Sequence, residues 1–170
     1  MLTKTAFLDL YIAWEAFLEE SFEYYLMGGA TIGGTMPVTL YKSSDISQIR
    51  KMMAMLGNER FFDYTIPDKV VTVAKLLFKD GYPYANNINS ARQALQDLKT
   101  MRNAAAHMSQ EATHSFNGLV QRTLTVPHAG MDLSTFLLAH TPMMKESSDN
   151  RVFAYYQSIL NVAANGIANG

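Results

Sequence analysis

The sequence predicts an all-α fold: a single-domain helical bundle over residues 1–170, with an irregular C-terminal connection before its last helix. Three observations lead there. Over most of the chain, apolar residues recur at threes and fours, the spacing of one helix face. With 48% hydrophobic and 17% charged residues in 170 positions, there is material for one core and little length for two. There are no cysteines, so disulfides, thiolate–metal sites and cysteine nucleophiles are excluded.

The first helix is expected from Thr3 to Met27, where Phe7, Tyr11, Trp14, Leu18, Phe22 and Tyr25 fall on one arc. Thr3 is its expected N-cap, and Gly28-Gly29 end it where a left-handed residue is needed. Residues 28–44 read as a loop, with a short extended piece at Val38-Thr39-Leu40-Tyr41. A second helix, Asp45 to Leu56, places Ile46, Ile49, Met52, Met53 and Leu56 on its apolar side. Pro67 suits the first turn of a third, which carries Val70, Val71, Ala74, Leu77 and Phe78 before Gly81. Asn89 or Ser90 is the expected cap of a fourth, running to about His107. A helix from about Ser115 to Leu124 follows, then an irregular stretch from Pro127 to Pro142 apart from the apolar piece Leu133 to Leu138. The last helix, Asp149 to Ala164, carries Val152, Phe153, Tyr156, Ile159, Leu160 and Ala163. No repeat, low-complexity tract or linker divides the chain.

Fourteen Lys and Arg against fifteen Asp and Glu give a formal charge of −1, so no broad basic surface selects a partner. No apolar run approaches the roughly 20 residues of a membrane span. The N-terminus lacks the basic, apolar and small-residue regions of a signal peptide. The expectation is a soluble cytoplasmic protein without a membrane partner. Eleven methionines supply adaptable packing in a core or at a partner surface.

The fourth helix holds the chemistry. At 100° per residue, Arg92, Gln96, Lys99, Asn103 and His107 form one polar stripe within about 80°. Ala91, Ala94, Leu95, Leu98, Met101 and Ala105 fill the opposite arc. Arg102 breaks the pattern, because its direction falls between those of Leu95 and Leu98. An arginine there must reach along apolar surface to water, pair with a carboxylate, or face another subunit. Asn103 and His107, four apart, are neighbours on the helix surface, and Ala104 to Ala106 allow close approach. Histidine exchanges protons near neutral pH, and arginine clamps a phosphate with two hydrogen bonds. The pair suits a reaction at a phosphodiester.

The run Arg102-Asn103-Ala104-Ala105-Ala106-His107 resembles the R-N-x-x-x-H signature of HEPN domains, the higher eukaryotes and prokaryotes nucleotide-binding family. The opening run Ala13-Trp14-Glu15-Ala16-Phe17-Leu18-Glu19-Glu20 resembles the first helix of the prokaryotic groups of that family. The resemblance covers residues 3–125. With six Arg, ten Asn and four His in 170 positions, chance supplies roughly 0.008 such matches to Arg-Asn and a fixed gap to His. The resemblance implies a metal-independent endoribonuclease acting as a homodimer without a cofactor. His107 would assist attack of a ribose 2′-hydroxyl, Arg102 would hold the phosphate, and Asn103 would position groups by hydrogen bonding. Arg92 and Lys99, doubled in a dimer, would add cations for RNA. It also implies a toxin of a toxin–antitoxin or phage-defence system, with an antitoxin protein or a nucleotidyltransferase as partner. Arg102 and His107 lie about 140° apart around the helix, so a second protomer could bring the missing group to one phosphate. Other members of the family are non-catalytic modules that bind a nucleotide or a protein.

Other constellations are weaker. His107, Glu111 and His114 would share a face if the helix continued, as a metal triad, but the spacing is not H-E-x-x-H and Ser109 is a place for the helix to falter. Gly28 to Thr35 resembles a phosphate loop with Gly34 in the lysine's place, and it follows a helix rather than a strand. Glu15, Glu19 and Glu23 line up at steps of four, an acidic stripe that could supply a partner acid for Arg102. His128 and His140 have no companions, and Ser115 has no nucleophile-elbow context. The aromatic residues follow the apolar arcs, as core residues do.

Overall fold

The computed structural model of the chain describes residues 2–57, 60–106, 109–125, 130–144 and 149–170. Among these residues there are seven α-helices and no strand beyond isolated bridges. The expected all-α bundle is what the chain forms.

Helix α1 (Leu2–Leu26) buries the predicted arc, Phe7 through Tyr25, and ends at Gly28 with φ at 93°, the left-handed turn that glycine adopts without strain. The chain then runs past the far end of the bundle, where the Ile32 amide donates to the Ala168 carbonyl at 2.8 Å. The extended piece expected at residues 38–41 pairs briefly with the segment after the third helix. The Leu40 amide donates to the Leu77 carbonyl at 2.7 Å and the Lys79 amide to the Val38 carbonyl at 2.9 Å. Helix α2 (Ile46–Gly57) starts where the Asp45 carboxylate accepts the Ser47 amide at 2.8 Å. Helix α3 (Pro67–Leu77) begins with proline in its first turn, as expected.

Helix α4 (Tyr84–Ala106) is the centre of the bundle and packs against α3, against α1, and against the two later helices α5 (Gln110–Leu124) and α7 (Val152–Asn169). It starts five residues before the expected cap at Asn89. The reason is tertiary. Tyr84 stacks on Phe22 with ring centroids 3.9 Å apart, its hydroxyl donates to Ser21 Oγ at 3.1 Å, and Ile88 is fully buried a turn later. That burial outweighs the low helix propensity of the Asn- and Ser-rich stretch. The polar side chains also bond within the helix: Asn87 donates to the Pro83 carbonyl at 2.8 Å and Ser90 to the Asn86 carbonyl at 2.9 Å.

Helix α5 starts at Gln110, not Ser115, because Ser109 Oγ accepts the Ala112 amide at 3.2 Å and caps a new helix. The connection to the last helix carries α6 (Leu133–Leu138), capped by Asp132, and one 3₁₀ turn at Pro142–Met144. Residues 126–129 and 145–148 of that connection lie outside the described residues. Helix α7 starts at Val152 and runs through Gly166 to Asn169, later at both ends than Asp149 to Ala164. Gly166 does not break it. A Cβ there would collide with the Asn87 amide group, so the glycine is the close-packed crossing of α7 on α4.

A polar hub joins three of these helices. The buried Asp97 of α4 accepts from Gln93 Nε2 at 2.9 Å and from the Arg122 guanidinium of α5 at 2.5 Å. Its second oxygen accepts the buried Tyr156 hydroxyl of α7 at 2.9 Å. Arg122 is half exposed, so removing Asp97 does not strand a buried cation. It does strand the Tyr156 hydroxyl. Asp97→Ala is expected to cost about 2–3 kcal/mol, below the range for a fully buried pair, and Tyr156→Phe about 1 kcal/mol. Urea unfolding checks both, as a lower midpoint at unchanged slope. An unmoved midpoint for Asp97→Ala would show that the hub does not hold the helices.

Candidate functional site

The last turns of α4 emerge from the bundle beside α1 and the segment before α3. Arg102 lies on the apolar arc between the buried Met101 and the half-buried Ala105, yet it is exposed. It lines a cleft of about 330 Å³ together with Lys99 and Asn103 of α4, Tyr11 and Glu15 of α1, and Asp63. Of the three outcomes open to an arginine on that arc, pairing within the chain is not the one seen among the described residues: Arg102 is exposed, with Glu15 of α1 lining the same cleft.

The wall facing Arg102 is a tight turn. Asp63 accepts the Thr65 amide at 2.9 Å and the Thr65 hydroxyl at 2.5 Å, which fixes the residues just ahead of Pro67. Lys99 Nζ lies 3.8 Å from the other Asp63 oxygen. Burial pushes the Asp63 carboxyl up, but the Thr65 hydrogen bonds and the charges of Lys99 and Lys69 outweigh it and hold the group below its ordinary value. Glu15 goes the other way. Burial and then repulsion from Asp63 raise its carboxyl above the usual range, and the attraction of Arg102 only partly offsets them. Burial likewise raises the Tyr11 phenol.

Asn103 stands on the ridge between this cleft and a second of about 320 Å³, lined by Thr100, Ser109, Glu111, Ala112 and Ser115. His107 and Met108 lie outside the described residues. Arg92, on the same predicted stripe, is not part of the cleft. It sits about 15 Å earlier along the axis and is committed to Asp68 of α3, with Asn89 accepting a further hydrogen bond at 2.6 Å. Arg102, Asn103 and Lys99 are therefore brought together, and Arg92 is held elsewhere.

The other constellations separate. Ser109 caps α5, so Glu111 and His114 ride on a new helix rather than on a continuation of α4, and His107 is not described. Among the described residues, no three His, Cys, Asp or Glu side chains are grouped so as to hold a metal ion. In the glycine-rich loop after α1, the Thr31 hydroxyl accepts the Thr35 amide at 3.1 Å, and Gly28 and Gly34 take positive φ, a turn that closes on itself. His140 bonds the Asn150 side chain. His128 lies outside the described residues.

Two features of the site escape sequence reading: Asp63, and the exposed Phe61 beside it. The available signals were the Asp-x-Thr turn spacing ahead of Pro67 and a Phe-Phe pair in a segment without helical period. No family model, no curated protein and no solved structure matches the chain.

Glu15 makes the electrostatics of the cleft measurable. Its folded-state pKa lies above that of the unfolded chain, so the folded protein holds the proton more tightly and loses stability as pH rises through the two values. Glu15→Gln removes that loss. The variant is expected to melt above the wild type at pH 7 and together with it below about pH 4, where both side chains are neutral. A gap that is the same at both pH values would show that the carboxyl is not perturbed by this environment.

Proposed function

We propose that this chain is a metal-independent endoribonuclease of the HEPN type, with the end of α4 as its active site. One observation carries the reading. The arginine that breaks the apolar arc of α4 is exposed in a polar cleft, with Lys99 and Asn103 beside it and five positions ahead of the one histidine in the signature. A guanidinium so placed can take two phosphate oxygens. No carboxylate lies within ion-pair distance of Arg102 among the described residues.

In this mechanism His107 accepts the proton of a ribose 2′-hydroxyl while that oxygen attacks the adjacent phosphorus. Arg102 stabilises the charge gathering on the phosphoryl oxygens, and Asn103 donates a hydrogen bond to the same group. The bond to the 5′-oxygen breaks, and the leaving oxygen takes a proton back from the imidazolium. The products are a 2′,3′-cyclic phosphate and a 5′-hydroxyl. No step needs a metal ion or cofactor. RNA, a second copy of the chain, and an antitoxin protein or nucleotidyltransferase are the partners, and the cytoplasm is the compartment. The last turns of α4, with the half-buried Ala104 and Ala105 and the exposed Ala106, carry the small residues that let a second copy approach a two-fold axis there.

The second reading is a non-catalytic helical module. What favours it is the pair of carboxylates, Glu15 and Asp63, that share the cleft with the two cations and compete with a phosphate. Cleavage assays in EDTA separate the readings. The wild type is expected to cut RNA and leave cyclic phosphate ends, while His107→Ala abolishes cleavage with the helical circular dichroism intact. Arg102→Lys keeps the charge and loses the planar fork, and is expected to fall by about 100-fold or more. If EDTA stops cleavage and zinc restores it, the mechanism fails. If the wild type cuts nothing and His107→Ala leaves partner binding unchanged, the module reading wins. Light scattering at micromolar concentration is expected to give the mass of a dimer, and a monomer would argue against a shared site.

A further inference from the structure

The cleft at Arg102 does not end there. It shares Glu15, Phe61 and Phe62 with a larger one of about 730 Å³ between α1, α2 and the 60–64 segment, so the two form one groove. We propose that this groove is a track for single-stranded RNA, in which Phe61 stacks on a base and Lys51 and Arg60 hold flanking phosphates on the way to Arg102. The inference rests on the ribonuclease reading for the identity of the strand.

The charges of the groove do not cancel evenly. Arg50 bonds Glu23 at 2.5 Å and stands 3.6 Å from Glu19, Lys99 stands 3.8 Å from Asp63, and Glu15 feels the charge of Arg102. Arg50 thus serves two carboxylates, and three cations face four acids on this side of the groove. Lys51 and Arg60 have no carboxylate within 4.0 Å among the described residues. Lys51, whose charge also acts on Asp45, and Arg60, which lies over the Phe61 ring, thus border the groove without an ion pair among the described residues, where a phosphate backbone would find them.

The aromatic pair divides its work. Phe62 is buried and meets Tyr64 edge-on with centroids 4.7 Å apart, which pins the segment to the bundle. Phe61 is turned out and is 74% exposed, with the Arg60 guanidinium carbon 5.4 Å from its ring centroid. A ring held this far out adds almost nothing to the core, but it offers a flat apolar face beside a cation, the composition of a base-stacking platform. Stacking needs an unpaired base, so the track suits a single strand and not a duplex. An apolar protein face would cover Phe61 and the equally exposed Met55 but would leave the two cations without partners.

The test is fluorescence anisotropy of a labelled single-stranded RNA oligomer with the full chain, in a His107→Ala background so that the strand stays intact. Phe61→Ala is expected to weaken binding roughly 5- to 150-fold, and Phe61→Trp to restore it. Lys51→Gln with Arg60→Gln is expected to lower the slope of log affinity against log salt by about 1.4. The track is overturned if the parent shows no saturable binding, if Phe61→Ala binds as the parent does, or if a duplex of the same sequence binds equally well. Competition by a poly-glutamate peptide as strong as that by unlabelled RNA would overturn it in favour of a polypeptide. Its failure is separable from that of the ribonuclease reading: RNA bound through Phe61 but never cut by the wild type keeps the track and sinks the enzyme. RNA cut by the wild type with Phe61→Ala unchanged in affinity does the reverse.

Discussion

A carboxylate buried in the middle of a helical bundle has to be fully bonded or it costs more than it gives, and Asp97 meets that demand by drawing on three helices at once. Gln93 comes from its own helix, while the bonds from Arg122 of α5 and Tyr156 of α7 tie those two helices to α4. Two later helices thus meet at one carboxylate of α4, in addition to their apolar packing on it.

Helix α4 also carries the candidate site. Its inner face packs against α1, α3, α5 and α7, so Ile88, Leu98 and Met101 are sealed, while Asn89, Gln93 and Gln96 on its outer face are exposed. Arg102 is the first residue on the apolar arc to be exposed. The cleft it enters is built from elements distant in sequence, α1 and the turn at Asp63 to Thr65, which are themselves anchored by Tyr11, Phe62 and Pro67 in the core. A flexible cation is therefore set against rigid walls, and the electrostatic character of the site, Glu15 raised and Asp63 lowered, belongs to the walls.

How much of this could be read from the residues depends on how local the cause is. The body and stop of α1 were legible because its apolar arc repeats over many turns and Gly28 ends it, but its start was not: Thr3, the expected cap, lies inside a helix that begins at Leu2. The start of α4 was not, since Asn86, Asn87, Asn89 and Ser90 look like cap chemistry until Tyr84 is seen stacked on Phe22. Ser109 could be marked as an interruption, but that it caps a new helix rather than ending an old one depends on the path of the chain through the bundle. At the site, the break that Arg102 makes in the arc was visible, whereas Asp63 reaches it only through tertiary packing. Arg92 shows the converse: the right phase on the right helix, but taken up by Asp68. Asp97 carried no motif at all, because nothing in a sequence marks which acid will find three donors.

The crossing of α7 on α4 has an evolutionary corollary. Asn87 is held in place by its bond to the Pro83 carbonyl, and it occupies the space that any side chain at position 166 would need. The two positions share one volume, and the chain has assigned it wholly to α4. Among descendants of this sequence, drift at the two positions should be coupled, because a side chain at 166 requires the Asn87 amide to turn away or be replaced. Such a linked pair would leave a trace of this helix crossing in the genealogy of the fold, long after overall resemblance had faded.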